Sequence, residues 1–242
     1  MKVAITFVYP YFENAGMFRL QQETWNSYPP EIKDRIEFIV TDDCSVDNPA
    51  RNNVLTGDLV RLNLSLYEIQ NKVPWNWLAA RNIGAHYARG KWLLLTDMDH
   101  LVSVKVVTEL MQRLPELSGK YIYQFSRVKA PNNAPYKFHN DSFFITKKMF
   151  WLSGGYDESF SGLYGTSGMF RDRLLLTAKG RRKHFHDLAL ILYGREVMPD
   201  ASTTCYARKE GRDPEAIRRV VRQKTKDSTG ILLFQQPYKK VV

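Results

Sequence analysis

Short apolar segments recur along the first hundred residues and are rich in residues that favour β-structure. They predict four strands, at Val3–Tyr9, Ile36–Thr41, Leu59–Tyr67 and Trp92–Thr96. The last of these has no helical stripe and is mostly apolar, which is typical of a short strand buried on both faces.

Between these segments, apolar residues recur at the spacing of a helix. Met17, Leu20 and Trp25 predict a helix that ends before Pro29-Pro30. A second helix is predicted at Leu78–Ala88, where small residues suit close packing on a sheet. The alternation of strands and helices predicts an α/β fold, with a mostly parallel central sheet covered by helices on both faces.

The pattern after residue 103 is less regular and predicts a smaller, irregular region on the C-terminal side. Its predicted elements are helices at Val104–Leu114, Lys147–Leu152, Phe170–Lys179 and Pro214–Lys226, strands at Tyr121–Val128, Ser142–Thr146 and Leu188–Tyr193, and loops at Ala130–Phe138 and Tyr156–Gly168. The apolar tail Ile231–Phe234 is expected to dock on the body of the protein.

Composition narrows the class of protein. The chain has 242 residues, of which 44% are hydrophobic, so it can bury a sizeable core. No apolar run approaches the ~18–20 residues of a membrane span. Two cysteines, Cys44 and Cys205, are too few for a disulfide framework and favour a reduced, cytoplasmic setting. A net charge of +10 indicates an anionic partner, such as a nucleotide, a nucleic acid or a membrane surface.

Two acidic turns follow predicted strands. Asp97 and Asp99 end the central segment KWLLLTDMDH, and Asp42-Asp43 follows the second strand. Both turns are expected at the same edge of the sheet, where open α/β sheets bind ligands. Carboxylates suit hard divalent cations, which readily bridge to phosphates. Each pair taken alone also fits solvated turn aspartates, and the occurrence of two such turns favours a site.

Four blocks together resemble the family 2 glycosyltransferases of the GT-A (Rossmann-like) fold. They are FVYPYFEN, FIVTDDCSVDN, AARNIGAHYARGKWLLLTDMDH and WLSGGYDESFSGLYG, in the order that the family has them. The blocks span roughly Val3 to Leu174. The resemblance implies that a sugar is transferred from a nucleotide-sugar donor, usually with Mn²⁺ or Mg²⁺.

The resemblance also implies roles for individual residues. It implies that Asp99 binds the metal and that Asp97 lies near the ribose or the metal. It implies donor contacts from the residues that match the family's first turn, second acidic turn and ARN pair: Tyr9, Pro10, Asp42, Asp43, Arg81 and Asn82. The family often takes a further histidine ligand from its C-terminal region, and His186 is the candidate, although it also fits a solvated strand face.

The sequence departs from the family where an acidic pair usually supplies the general base. The matching positions read Thr166-Ser167, and neither residue acts as a base unaided at neutral pH. Asp157, Glu158 or Asp172 is expected to substitute, with Asp157 first because it lies in a matched block. Its alternative role is to cap a turn. A mechanism without a protein base and an inactive relative remain alternatives.

The family resemblance predicts a single GT-A domain over residues 1–242. Residues 1–103 form its nucleotide-sugar half, 104–200 its acceptor half and 201–242 a basic extension. The donor is expected to be a UDP-sugar. Basic residues in the extension favour an acceptor such as hydroxymethylated DNA, which some virus-encoded relatives glycosylate, in which case the setting is the host cytoplasm. A glycan or a lipid-linked sugar is the other acceptor class, and a non-catalytic nucleic-acid- or nucleotide-binding protein is the rival function.

Overall fold

A computed structural model describes residues 2–57, 60–163, 166–202 and 230–242, together with 215, 218–220, 222 and 223. The α-helices are α1 (Ala15–Asn26), α2 (Pro30–Lys33), α3 (Trp77–Tyr87), α4 (Val104–Arg113), α5 (Lys147–Leu152) and α6 (Ser167–Thr177). The strands are β1 (Ile5–Tyr11), β2 (Ile36–Asp42), β3 (Leu64–Ile69), β4 (Trp92–Leu95), β5 (His100–Leu101), β6 (Ile122–Lys129), β7 (Ala134–Tyr136), β8 (Phe143–Thr146), β9 (Arg182–Leu192) and β10 (Tyr238–Lys240).

The N-terminal half of the sheet is parallel, in the order β3-β2-β1-β4. Val8 in β1 pairs with Ile39 on one side and Leu95 on the other. The carboxyl ends of β2 and β4 therefore meet the same edge of the sheet, with β1 between them. The prediction that the two acidic turns share one edge is confirmed.

Both faces of this half are buried. Because successive side chains of a strand point to opposite faces, each strand contributes side chains to two hydrophobic cores. On one face, Phe7 and Phe38 pack with Trp25 of α1, and the Trp25 and Phe38 rings stack with centroids 4.3 Å apart. On the other face, Val8 and Leu93 pack with residues of α3, α5 and α6. Two-sided burial explains why these strands are apolar at nearly every position.

The second half of the sheet is mixed. β8 runs antiparallel to β4, with Leu95 opposite Phe143, and β6 pairs antiparallel with β8 and parallel with β9. β7 lies within the stretch Ala130–Phe138 that the sequence predicts to be a loop, because its Pro and Asn residues hide a short edge pairing. β9 begins at Arg182 rather than Leu188, because its exposed, basic first half has no apolar pattern.

The C-terminal tail docks as expected. β10 pairs antiparallel with β3 at the sheet edge, and the carbonyl oxygen of Leu232 accepts from the N–H of Glu158. Leu59 and most of the predicted helix Pro214–Lys226 lie outside the described residues. The predicted strand Leu59–Tyr67 begins later than expected, because residues 60–63 precede β3, which spans Leu64–Ile69. Among the described helices, none is both long and apolar enough to cross a bilayer.

Gly84 fixes the distance between α3 and the sheet. A Cβ at this position would lie 2.4 Å from Cγ1 of Val8 in the neighbouring strand β1. We predict that Gly84→Ala lowers the free energy of unfolding by about 1–3 kcal/mol in urea denaturation, because overpacking outweighs the gain in helix propensity.

The matched control is the same substitution in a Val8→Ala background. The cost of Gly84→Ala should shrink there, because the clashing methyl group is gone. An equal cost in both backgrounds would contradict this explanation.

Candidate active site

The acidic turn after β4 is completed by the segment that leads into β8. The antiparallel register places Thr96 opposite Ser142, and their hydroxyl oxygens lie 2.8 Å apart. Continuing this register brings Asp141 opposite Asp97. Two segments that are more than forty residues apart in the chain thus form one site at the sheet edge.

Arg81 of α3 forms hydrogen bonds with both of these segments. Its side chain is fully buried, and Nη2 donates to Asp97 Oδ1 at 2.6 Å. Nη1 donates to the carbonyl oxygen of Asp141 at 2.7 Å and to the Tyr156 hydroxyl at 2.9 Å. The guanidinium also lies 4.8 Å from the centre of the Trp77 ring. Burial raises the pKa of Asp97, but the charge of Arg81 outweighs it and holds that pKa below its usual value.

Two histidines stand beside Asp97. His139 Nε2 lies 3.4 Å from Asp97 Oδ2, and its ring stacks on that of His100 with centroids 4.5 Å apart. Burial lowers the pKa of His139 to about 3, so its ring is neutral at physiological pH. Arg127 lies 3.0 Å from His100 Nε2, and because a guanidinium can only donate, this nitrogen accepts. The other ring nitrogen of His100, Nδ1, faces Asp99 Oδ1 at 2.6 Å without the alignment of a hydrogen bond.

The donor atoms fit a divalent cation. Asp97, His100 and His139 each offer an atom within 4.8 Å of the others. The 3.4 Å between Asp97 Oδ2 and His139 Nε2 can be bridged by one ion with ligand bonds of about 2.1 Å. His139 is a candidate ligand that the sequence did not single out, whereas the Nε2 lone pair of His100 is engaged by Arg127. The predicted ligand Asp99 is next to this cluster, whereas His186 is exposed, and its ring lies 4.5 Å from that of His184. Asp99 and His186 as ligands stay predictions.

The two carboxylates of the acidic turn after β2 accept hydrogen bonds from the backbone of nearby loops. Asp42 accepts from the backbone N–H groups of Ser45 and Ala50, and Asp43 accepts from that of Asn76 at 2.6 Å. Burial raises the pKa of Asp42. Both carboxylates are almost wholly buried, and their donor contacts stay predictions.

The two residues of the first-strand turn that are predicted to contact the donor, Tyr9 and Pro10, differ in their exposure. The Tyr9 ring is entirely buried in the core, with its centroid 5.4 Å from that of Trp25. Only Pro10 has exposed surface with which to touch a nucleotide. Alternation along β1 turns the Tyr9 ring into the core, and the donor contacts of Tyr9 and Pro10 stay predictions.

Asn82 lies in the core of the fold beside the GGYDE turn. Its side chain accepts from the Tyr156 N–H at 2.8 Å and donates to the Tyr156 carbonyl oxygen and to Glu158 Oε1. Glu158 in turn accepts from the N–H groups of Phe234 and Gln235 in the tail. Asn82 therefore holds this turn next to Arg81, and direct contact with the donor stays a prediction.

The predicted substitute bases lie in different surroundings. Asp157 is buried and accepts from the Ser159 N–H and hydroxyl and from the Leu232 N–H. Asp172 is on the exposed side of α6. Thr166 is buried and Ser167 begins α6 beside Asp141. A catalytic role for Asp157 or Asp172 stays a prediction.

Asp141 is the acid that sequence reasoning missed. Burial raises the pKa of its carboxyl group, which the charge of Arg81 partly offsets. The segment His139-Asn140-Asp141 is a polar cluster directly before the apolar strand β8, which is the signal that could have found it. The antiparallel return of β8 beside β4, which makes this cluster part of the site, has no local sequence signal.

A basic pocket of about 450 Å³ opens next to Asp141. Its lining includes Asn140, Arg171, Arg182, Lys183 and His184. Burial and the neighbouring His186 lower the pKa of His184, so the three cations are the two arginines and the lysine. No carboxylate is among the described residues that line it.

Comparison with known proteins identifies the family of this chain and the fold that it shares. The family model described as glycosyl transferase family 2 matches residues 21–175, which is more than half of the chain. The chain therefore belongs to glycosyl transferase family 2. The curated proteins include none that matches it.

Solved structures of glycosyltransferases share its fold. Residues 1–349 of S. aureus TarS, in complex with UDP-GlcNAc, match with a TM-score of 0.65 and 15% identity, over 84% of this chain and 62% of that one. The mannosyltransferase PcManGT from Pyrobaculum calidifontis, in complex with GDP-Man and Mn²⁺, matches with a TM-score of 0.58 and 15% identity, over 79% and 57%. The chain thus spans about three fifths of each relative, and the predicted GT-A fold is confirmed.

Removal of the buried guanidinium should be costly. We predict that Arg81→Met lowers the free energy of unfolding by about 2–4 kcal/mol in urea denaturation, because it leaves Asp97 and the Asp141 carbonyl without their shared partner. This range is below that of a fully buried pair because the Asp97 side chain is 39% exposed.

Arg51→Met is the matched control, since it removes an arginine from the exposed ion pair with Glu68. Its cost should stay below about 1 kcal/mol. Similar costs for the two substitutions would refute a special role for Arg81.

Proposed function

We propose that this protein is a glycosyltransferase that moves a sugar from a nucleotide-sugar donor, a UDP-sugar, to an acceptor hydroxyl. The observation that carries this proposal is the sheet edge at which buried Arg81 holds Asp97 beside His139. Family membership and the nucleotide-sugar complexes of the two structural relatives support it.

The charges of the site suit a leaving diphosphate. Breaking the bond from the sugar to the diphosphate moves negative charge onto the phosphate oxygens, and preorganised positive groups stabilise it. Arg81 and Arg127 bring two guanidinium groups to the edge. A divalent cation held by Asp97, Asp99 and His139 would supply further charge stabilisation there. Since the arginines partly neutralise the carboxylates, we expect a modest cation affinity.

Different ranges of the sequence are assigned to the donor and to the acceptor. We propose that residues 1–103 supply the donor side, with Asp42 and Asp43 nearest the base and Asp97 nearest the diphosphate. Residues 104–200 supply the acceptor side, which includes the basic pocket. Residues 201–242 form the proposed basic extension.

The basic pocket supports an anionic acceptor. Arg171, Arg182 and Lys183 present three positive charges to one opening, where a phosphate group is better accommodated than a neutral sugar. A hydroxymethylated DNA base meets this requirement, and so does a glycan or a lipid-linked sugar that carries phosphate. We favour DNA because the excess of positive charge lies after residue 100, in the part of the sequence that holds the pocket and the basic extension.

A non-catalytic nucleotide-binding protein is the second candidate. It is favoured by Thr166-Ser167 at the positions of the family's acidic pair. Such a protein would bind the nucleotide part of a donor but would not turn it over.

Donor binding can be measured as thermal stabilisation. We predict that UDP-GlcNAc with Mn²⁺ raises the melting temperature of the wild type, and that Asp99→Ala removes most of the rise. At a hundred times its dissociation constant, a ligand adds about 2.7 kcal/mol. GDP-mannose serves as the donor with a different base.

Asp34→Ala, at an exposed position next to α2, is the matched control and should keep the full shift. The absence of a shift with every nucleotide sugar, with or without Mn²⁺, would reject the transferase proposal.

The acceptor proposal predicts a local effect of charge. We expect Arg182→Glu with Lys183→Glu to weaken binding of a fluorescein-labelled hydroxymethylcytosine oligonucleotide at least tenfold in fluorescence anisotropy. For every phosphate group that the variant no longer neutralises, the slope of log K against log salt should become shallower by about 1.

Lys105→Glu with Lys148→Glu changes the net charge equally at exposed positions away from the pocket. An equal weakening of binding in this control would mean that only net charge matters. Absence of saturable binding by the wild type would reject the DNA acceptor.

A further inference from the structure

We infer that Asp141 is the general base of the transfer reaction, and that it replaces the acid missing from positions 166 and 167. This inference rests on the proposed transferase function. It assigns the role to a residue outside the four blocks that carry the family resemblance.

The position of Asp141 follows from the sheet. The antiparallel pairing of β4 and β8 ends at Leu95 and Phe143, and the next residues remain close, since the Thr96 and Ser142 hydroxyl oxygens lie 2.8 Å apart. Arg81 bonds to both segments, through the Asp97 carboxylate and the Asp141 carbonyl oxygen. Asp141 is therefore held at a fixed place next to the residue expected at the donor diphosphate.

Ser167 is one of the two residues at the positions of the family's acidic pair, and it lies next to Asp141. Ser167 begins α6, and its side chain is a polar neighbour of the Asp141 carboxylate. A carboxylate at 141 thus lies where an acid at 167 would point its own. Asp141 therefore supplies a negative charge next to position 167 from the turn before β8, where the family supplies it from α6.

The Asp141 carboxylate is also available for a proton. Its Oδ1 is buried and has no hydrogen-bond partner among the described residues. An unpaired buried oxygen costs about 1–3 kcal/mol, and such exceptions call for a functional explanation. The carboxylate as a whole accepts a hydrogen bond from the Ser167 side chain, and Asp157 accepts from Ser159 and Leu232.

Asp141 stands between the two proposed substrates. Its carboxylate interacts with Arg81 and Asp97 at the edge and with Arg171, which lines the basic pocket together with Asn140, the residue before Asp141. An acceptor anchored in the pocket would bring its hydroxyl past Asp141 on the way to the donor sugar.

The reaction then balances. The acceptor hydroxyl gives its proton to the Asp141 carboxylate, and its oxygen forms the new bond to the anomeric carbon. The bond from the anomeric carbon to the diphosphate breaks, and its electron pair leaves with the nucleoside diphosphate.

The test uses the slow hydrolysis of UDP-GlcNAc and GDP-mannose, with water as the acceptor, measured as released nucleoside diphosphate. We expect Asp141→Asn to lower turnover by about 10²–10⁴-fold. It should keep the donor-induced rise in melting temperature, because the backbone carbonyl that Arg81 uses is unchanged. Asp34→Asn, at an exposed position, should match the wild type.

Azide separates a base from a structural residue. The azide anion attacks without losing a proton, so it should restore nucleotide release by Asp141→Asn while adding little to the wild type. Asp141→Glu, which keeps the carboxylate, should retain part of the activity and serves if the Asn variant does not fold.

Three outcomes would overturn the inference. Equal hydrolysis by wild type and Asp141→Asn would reject Asp141 alone and leave the transferase function standing. Abolished turnover that azide does not restore, together with an abolished donor shift, would make Asp141 a structural residue. No nucleotide release or donor shift in the wild type would reject the proposed function and this inference with it.

Discussion

The buried guanidinium of Arg81 is the interaction on which the site depends. Removing a positive charge from water costs several kcal/mol unless hydrogen bonds and a counter-charge replace the lost hydration. Arg81 obtains both from three separate parts of the chain, the turns at Asp97, Asp141 and Tyr156. These turns must come together for the fold to bury the charge. The same requirement brings the donor edge and the acceptor side into register.

This arrangement links stability to function. The parallel half of the sheet delivers the acidic turns after β2 and β4, while the antiparallel strand β8 returns a second polar segment to the same edge. His139 and Asp141 come from that segment, so the site is shared between the two halves of the sequence.

The sequence predicts the parallel half well because its signals are local. Apolar runs, helical spacing and turn residues around Ile36–Thr41 and Trp92–Thr96 determine both the elements and their order. Chain order also predicts that the carboxylates of Asp42 and Asp97 share an edge. The family blocks add Arg81, which pattern alone would have left as a surface cation on a helix.

The remaining features depend on contacts that no local pattern encodes. The pairing of β8 with β4 joins residues about fifty positions apart, and without it His139 and Asp141 are ordinary polar residues before a strand. The motif that contains Tyr9 predicts this residue at the nucleotide, yet strand alternation turns its ring into the core. In the sequence, Ser167 stands where the family has an acid, and only the fold shows that its side chain lies beside the carboxylate of Asp141.

The decisive measurement is a crystal structure of the protein soaked with UDP-GlcNAc and Mn²⁺. We expect the uracil near Asp42 and Asp43, the diphosphate at Asp97 and His139, and the anomeric carbon on the side that faces Asp141. A nucleotide bound elsewhere, for example with its phosphates in the basic pocket at Arg182 and Lys183, would contradict this expectation.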